Sequence, residues 1–134
     1  MNRLEKLKPL ALLLLRAGLG IIFVYHGYPK VFATTQQMFD GFARLGFPSF
    51  MVYVAGVIEL FGGALLIAGL FTRIGGLLLA IEMVIAIWTA HLGKGLLAVN
   101  EYQFPLVLAV AAFVLATTGA GIISLDYAIF REKA

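Results

Sequence analysis

Four long apolar runs, separated by shorter polar stretches, dominate the chain. They cover about 9–28, 50–71, 74–91 and 103–123. A helix needs about 20 residues to cross a bilayer, at about 1.5 Å of rise per residue. Each run therefore predicts a transmembrane helix, the third being the shortest. Pro9 suits a first helical turn, where a missing N–H costs nothing. Thr72 and Arg73 leave room for only a very short turn, so the second and third runs predict a tight helical hairpin. Residues 93–100 make a modest loop, and 29–49 a longer connection. Within the latter, a helix over 35–45 would gather Met38, Phe39, Phe42 and Leu45 on one face, with Gln36, Gln37, Asp40 and Arg44 largely elsewhere. That pattern predicts a short helix lying on the membrane surface, against which Gly41 in its middle works. After Gly119, Ala120 and Gly121 the chain leaves the bundle. Ser124 or Asp126 is placed to cap a last short helix bearing Tyr127, Ile129 and Phe130. The predicted fold class is an all-α membrane protein. It is a single domain of four transmembrane helices, with a short interfacial helix between the first two.

Composition agrees with the pattern. The 134 residues are 62% hydrophobic and only 13% charged, against about a quarter charged in soluble domains. So few charges cannot build a water-facing shell, which makes the lipid bilayer the main partner. The net charge of +3 comes from basic residues at the ends of apolar runs, with no basic tract interleaved with aromatics. Nucleic acid is therefore not an expected partner. The basic start, from Met1 to Lys8, followed by an apolar run has the look of a signal peptide. No small-x-small cleavage site follows, so the run is expected to be retained as the first helix. Six basic residues (Arg3, Lys6, Lys8, Arg73, Arg131, Lys133) fall on one side of the predicted bundle and three (Lys30, Arg44, Lys94) on the other. The asymmetry predicts an inner-membrane protein with both termini in the cytoplasm.

Candidate chemistry is confined to a few residues. The chain has no cysteine, which excludes disulfide, thiolate and iron–sulfur chemistry within it. It has no phosphate-binding glycine loop, nucleophile elbow or HExxH sequence. Three ionisable residues lie deep in apolar runs: Arg16, Glu59 and Glu82. Each costs about 2.5–3.5 kcal/mol to insert, so each needs a reason. Arg16 is seven residues in from Pro9, and Glu82 eight in from Ile74 on the same side, which predicts a buried ion pair between them. Glu59 is nearer mid-membrane. Its helical neighbours Ala55, Gly56, Gly62 and Gly63 are all small, so a partner helix is expected to approach closely. Glu59 and Glu82 are candidate proton-carrying catalytic residues; a carboxyl that merely hydrogen-bonds a neighbouring helix is the alternative.

A second group gathers at the opposite end. His26 and Lys30 leave the first run, His91 leaves the third, and Glu101 and Tyr102 enter the fourth, with Tyr25 and Trp88 close in sequence. Aromatic, histidine and lysine residues are ordinary anchors at this depth. Converging from three helices, His26, Lys30, His91 and Glu101 are also candidates to hold a quinone headgroup or a small polar ligand. No metal site is expected, since no close-spaced ligand pair exists. Asp126 and Arg73 are candidates to pair with each other near the basic end, or to act as separate interfacial charges.

Several segments resemble the DoxX family of small bacterial membrane proteins. They are Leu-Leu-Leu-Arg-Ala-Gly-Leu-Gly at 13–20, Tyr-His-Gly-Tyr-Pro-Lys at 25–30, Gly-Phe-Pro at 46–48, Gly-Val-Ile-Glu-Leu-Phe-Gly-Gly at 56–63, Gly-Leu-Phe-Thr-Arg at 69–73, Glu-Met-Val-Ile-Ala at 82–86 and Gly-Ala-Gly-Ile-Ile-Ser-Leu-Asp at 119–126. Each is weak alone; their order across nearly the whole chain is specific. Ala120 departs from the proline the family favours, which alters only a loop. The resemblance implies a four-helix inner-membrane protein whose family-like positions include Arg16, His26, Lys30, Glu59, Gly62, Arg73, Glu82, His91, Glu101 and Asp126. It also implies membership of thiosulfate:quinone or quinol oxidoreductase systems, or of oxidative-stress complexes. The expected function is a membrane subunit of a quinone-linked oxidoreductase, with quinone the implied cofactor and other membrane subunits the implied partners. Two alternatives stand beside it. One is a scaffold or assembly subunit docking through small-residue faces. The other is a small-solute transporter acting as a homo-oligomer through Gly62, Gly63 and an Ala109, Ala112, Ala116 stripe.

Overall fold

The computed structural model describes residues 2–91 and 99–131, without the side chains of residues 2, 90, 91, 100 and 101. Its elements are all helical. They are α1 (Asn2–Glu5), α2 (Lys8–Phe32), α3 (Gln36–Arg44), α4 (Met51–Ala68), α5 (Thr72–Ala86), one π-helical turn (Ile87–His91), α6 (Val99–Thr118) and α7 (Leu125–Phe130). Three stretches are long and apolar enough to cross a membrane: Arg3–Phe32, Met51–Ala68 and Thr72–Thr89. The fourth apolar helix is shorter, with Tyr102–Thr118 as its apolar part among the described residues.

Local chemistry explains where the helices stop. α2 continues four residues past the predicted end at Tyr28, through Pro29, because a proline in a last turn forfeits only one hydrogen bond. Thr35 caps α3, its hydroxyl accepting from Met38 N–H at 3.3 Å. α4 ends at Gly69, whose φ of 72° lets Gly69 and Leu70 N–H close back onto Leu66 and Leu65 carbonyls. The hairpin turn is therefore Gly69 to Phe71, and Thr72 and Arg73 already belong to α5. The fourth run stops at Thr118, five residues short of the prediction, because Gly119 and Gly121 turn the chain with φ of 77° and 85°. Ser124 then caps α7 through Tyr127 N–H at 3.1 Å, as expected.

The bundle is two close helix pairs, α2 with α4 and α5 with α6, joined mainly through α4 and α5. Glycine makes the first pair tight. A Cβ on Gly20 would sit 2.5 Å from Gly63 O, and one on Gly63 would sit 2.7 Å from Gly20 O. A Cβ on Gly27 would lie 2.5 Å from Leu60 N, and one on Gly56 2.6 Å from Lys30 Cβ. Small residues are the usual means of close approach where water supplies no drive for helix association. The same holds for α5 and α6, where a Cβ on Gly76 would meet Ala112 O at 2.8 Å and Ala116 N at 3.0 Å. Gly62 faces Leu79, and Ala109 and Ala112 are buried. The small-residue faces singled out for association between chains thus pack within this one. Leu19, Phe23, Leu66, Leu79, Leu108 and Leu115 fill the space between the pairs. Phe61, Ile74, Val84 and Phe113 lie on the outside, about half exposed, as side chains facing hydrocarbon would.

Candidate functional site

The polar residues inside the bundle form two separate clusters, one at each end. The first lies where α4 ends and α5 begins. Arg16 is 1% exposed and donates to the carbonyls of Leu66, at 3.3 Å, and Ile123. Asp126 lies near enough to act on it electrostatically. The Asp126 carboxylate accepts from Phe71 N–H at 2.7 Å and Thr72 N–H at 3.0 Å. It thereby caps α5 from a segment more than fifty residues away, placing negative charge at a helix N-terminus. Arg73 donates to Ala116 and Thr117 carbonyls at 3.2 and 2.6 Å, covering the end of α6. Two expectations are corrected here. Arg16 does not pair with Glu82: it reaches the last turn of α4, whereas Glu82 lies ten residues beyond Thr72, about 15 Å along α5. Arg73 does not pair with Asp126, because helix-end backbone groups occupy both. Arg16 Nε and Thr72 Oγ1 have no partner among the described residues.

The second cluster lies toward the opposite end. Lys30 Nζ donates to both oxygens of Glu59, at 2.8 and 2.7 Å. Helix direction brings them together. Side chains lean toward their helix N-terminus, so Lys30 near the end of α2 leans inward, while Glu59 on the antiparallel α4 leans outward. Gly27 and Gly56 remove the bulk that would hold the helices apart. The Glu59 side chain is 4% exposed and that of Lys30 23%.

Glu82 comes from α5 to the same place. Its carboxyl is close enough to Glu59 for the two to interact directly, with Lys30 acting on it from further off. Both Glu82 oxygens are fully buried, yet among the described residues no group donates to either unless one of the two carboxyls carries a proton. The three side chains line a cavity of about 380 Å³. Its remaining wall is almost entirely apolar: Phe42, Leu45 and Phe47 from α3 and the segment after it, Met51, Val54 and Ile58 from α4, and Leu78, Ile81, Met83 and Ile85 from α5. Thr89 also lines it, its hydroxyl committed to Ile85 O at 2.8 Å. The cavity thus combines an apolar body with a few convergent polar groups, the usual form of a small-molecule site.

The sequence-predicted residues divide accordingly. Lys30, Glu59 and Glu82 come together. His26 does not join them; it is exposed and rests between Tyr25 and Phe104, with ring centroids 5.5 and 5.9 Å away. The side chains of His91 and Glu101 lie outside the described residues. Among the described residues no group of three metal-ligating side chains occurs. Sequence reasoning missed the Lys30–Glu59 pair, although the inward lean of a lysine at a helix exit signals it. It also missed the contribution of α3 to the cavity wall.

A family model described as DoxX matches residues 11–92, more than half of the chain. The chain belongs to the DoxX family. Lys30, Glu59 and Glu82 all fall inside the matched segment, whereas Asp126 lies beyond it. A Bacillus subtilis (strain 168) protein named "Putative oxidoreductase CatD" is 40% identical over 121 residues, covering 90% of this DoxX chain and 88% of the relative. An uncharacterized protein of Haemophilus influenzae is 37% identical over 136 residues, covering 98% and 100%. An uncharacterized membrane protein of Mycobacterium tuberculosis is 33% identical over 81 residues, covering 59% and 50%. No solved structure matches. Family and apolar helices together make this DoxX chain a membrane protein.

Proposed function

We propose that this DoxX protein is a membrane subunit of a quinone-linked oxidoreductase, and that the cavity beside Lys30, Glu59 and Glu82 holds the quinone headgroup. The observation that carries this reading is the buried, donor-less carboxyl of Glu82 on an apolar cavity of about 380 Å³. Pockets of about 300–1,000 Å³ with few polar groups are the common form of small-molecule sites. The name of the Bacillus relative, "Putative oxidoreductase CatD", supports the redox setting.

In this reading α6 is the fourth membrane crossing, and the basic residues at the Arg16 end put both termini in the cytoplasm of an inner-membrane protein. α3 lies in the interface with Phe42 and Leu45 inward, closing the cavity from the far side. A quinone supplies two-electron redox chemistry when bound. The chain's own residues bind, orient and handle protons. Lys30 has one N–H beyond the two given to Glu59 and offers it to a carbonyl. Glu82 exchanges a proton with the headgroup, and Glu59 holds Lys30 in place. His91 and Glu101 are proposed as further ligand contacts.

Purification in native-lipid discs followed by solvent extraction tests the reading. Quinone is expected to copurify, and to be lost in Glu82→Leu. Absence of quinone, together with no binding of an added short-chain quinone, would overturn it.

A further inference from the structure

The polar groups of the cavity do not balance. Among the described residues that line it, one cation, Lys30, faces two carboxyls, Glu59 and Glu82. Lys30 gives two of its three N–H groups to Glu59 through short hydrogen bonds and none to Glu82, and the Thr89 hydroxyl is committed to Ile85 O. Glu82 is left with two fully buried oxygens and no donor from another residue type. A single proton shared between Glu82 and Glu59 makes the cluster neutral and satisfies one of those oxygens; the second still lacks a donor. A monovalent cation restores the same neutrality and approaches both. Isolated charge in an apolar setting is costly, so one or the other must be present.

The rest of the wall suits an organic cation better than a hydrated metal ion. It is aliphatic and aromatic, with the Phe42 and Phe47 rings 6.1 Å apart on the same lining. Aromatic faces attract ammonium groups, the more so when desolvated. We infer that the cavity also binds a hydrophobic organic monocation, in exchange for the one proton shared by Glu59 and Glu82. The exchange balances in charge: the cation enters, one proton leaves to solvent, and Lys30 stays paired with Glu59. No bond within the ligand is made or broken.

The groups that act on Glu82 are few. Glu59 faces it from α4 and Lys30 from α2. Asp40 and Arg44 of α3 are both exposed, and Tyr102 is the titratable side chain of α6 among the described residues. Proton release on binding is therefore read as the carboxyl pair's.

The inference rests on the cavity being a ligand site, and its test separates the two. Benzyltrimethylammonium and its neutral carbon isostere, neopentylbenzene, are titrated into the full chain in lipid discs by calorimetry, with a pH indicator reporting proton release. The ammonium is expected to bind at least about tenfold more tightly than the isostere. About one proton should be released per cation, with affinity falling toward about tenfold per pH unit on the acid side. Glu82→Gln should abolish proton release on addition of the ammonium. Equal binding of ammonium and isostere, or binding without proton release, overturns the inference. If quinone binds and the ammonium does not, only this inference fails; if the ammonium binds and quinone does not, only the quinone reading fails. The comparison of the two probes on the unmodified chain needs no variant, so poor folding of Glu82→Gln leaves the test intact.

Discussion

Arg16 and Glu82 carry opposite charges into the same apolar bundle, and they are handled in opposite ways. Around Arg16 the partners are backbone carbonyls at helix ends and an aspartate that itself caps a helix. Every contact there joins two segments distant in sequence. Around Glu82 the contacts are with side chains, they leave carboxyl oxygens without a donor, and a cavity begins where they end. A polar group that ties backbone to backbone is a fastening. One whose bonding is left incomplete beside an apolar hollow is a site waiting on something from outside the chain. The lesson is that depth and charge do not distinguish the two; the identity of the partners does.

This contrast can be broken by mutation, beginning with the largest effect. Asp126→Ala leaves the Phe71 and Thr72 N–H groups bare and Arg16 without its nearest carboxylate. It should cost about 3–5 kcal/mol, the range for breaking a buried charged network. Loss of monodisperse folded protein on size exclusion in detergent would show it; a native-like melting temperature would mean that the α5 cap is dispensable. Gly27→Val places branched bulk where even a Cβ would lie 2.5 Å from Leu60 N. Parting α2 from α4 should cost about 1–3 kcal/mol and pull Lys30 away from Glu59, so both thermal stability and ligand affinity should fall.

Lys30→Met leaves Glu59 unpaired. Because Lys30 is partly exposed, about 1–2 kcal/mol is expected, less than for a fully buried pair. The double variant Lys30→Met with Glu59→Leu should recover most of it, and a double-mutant cycle with no coupling would sink the pairing. The smallest stability effect is expected for Glu82→Leu. Replacing an incompletely bonded buried carboxyl by an apolar group of similar size is often neutral or stabilising, so melting should shift by no more than the equivalent of about 1 kcal/mol downward.

Much of the fold was legible because apolar runs of membrane length leave little choice of structure. The Ser124 cap was legible for the same kind of reason, since capping is local. What the sequence hid was long-range. Nothing near Phe71 announces that Asp126 will supply its hydrogen bond. Counting residues from helix starts set Arg16 and Glu82 at one depth. It failed because the starts of the helices are not level: Arg16, eight residues into α2, meets Leu66 in the last turn of α4, so the residues before it run past the end of α4. At the candidate site, Glu59 and Glu82 were readable from the cost of burying them, and the small residues around Glu59 from its helical spacing. His26 was grouped with Lys30 from proximity in sequence, but its ring turns to Phe104 of α6 while Lys30 reaches α4. The wall formed by α3 depends on how a connecting segment folds back, which no periodicity within it specifies.

The most direct measurement pairs stability with bound ligand in one variant. Glu82→Leu, purified in native lipid beside the unmodified chain, is expected to melt no lower than the equivalent of about 1 kcal/mol below it and to have lost its copurifying quinone. Quinone retained at the unmodified level, or a fall in melting temperature comparable to that of Asp126→Ala, would contradict the assignment of Glu82 to a site and return it to the framework.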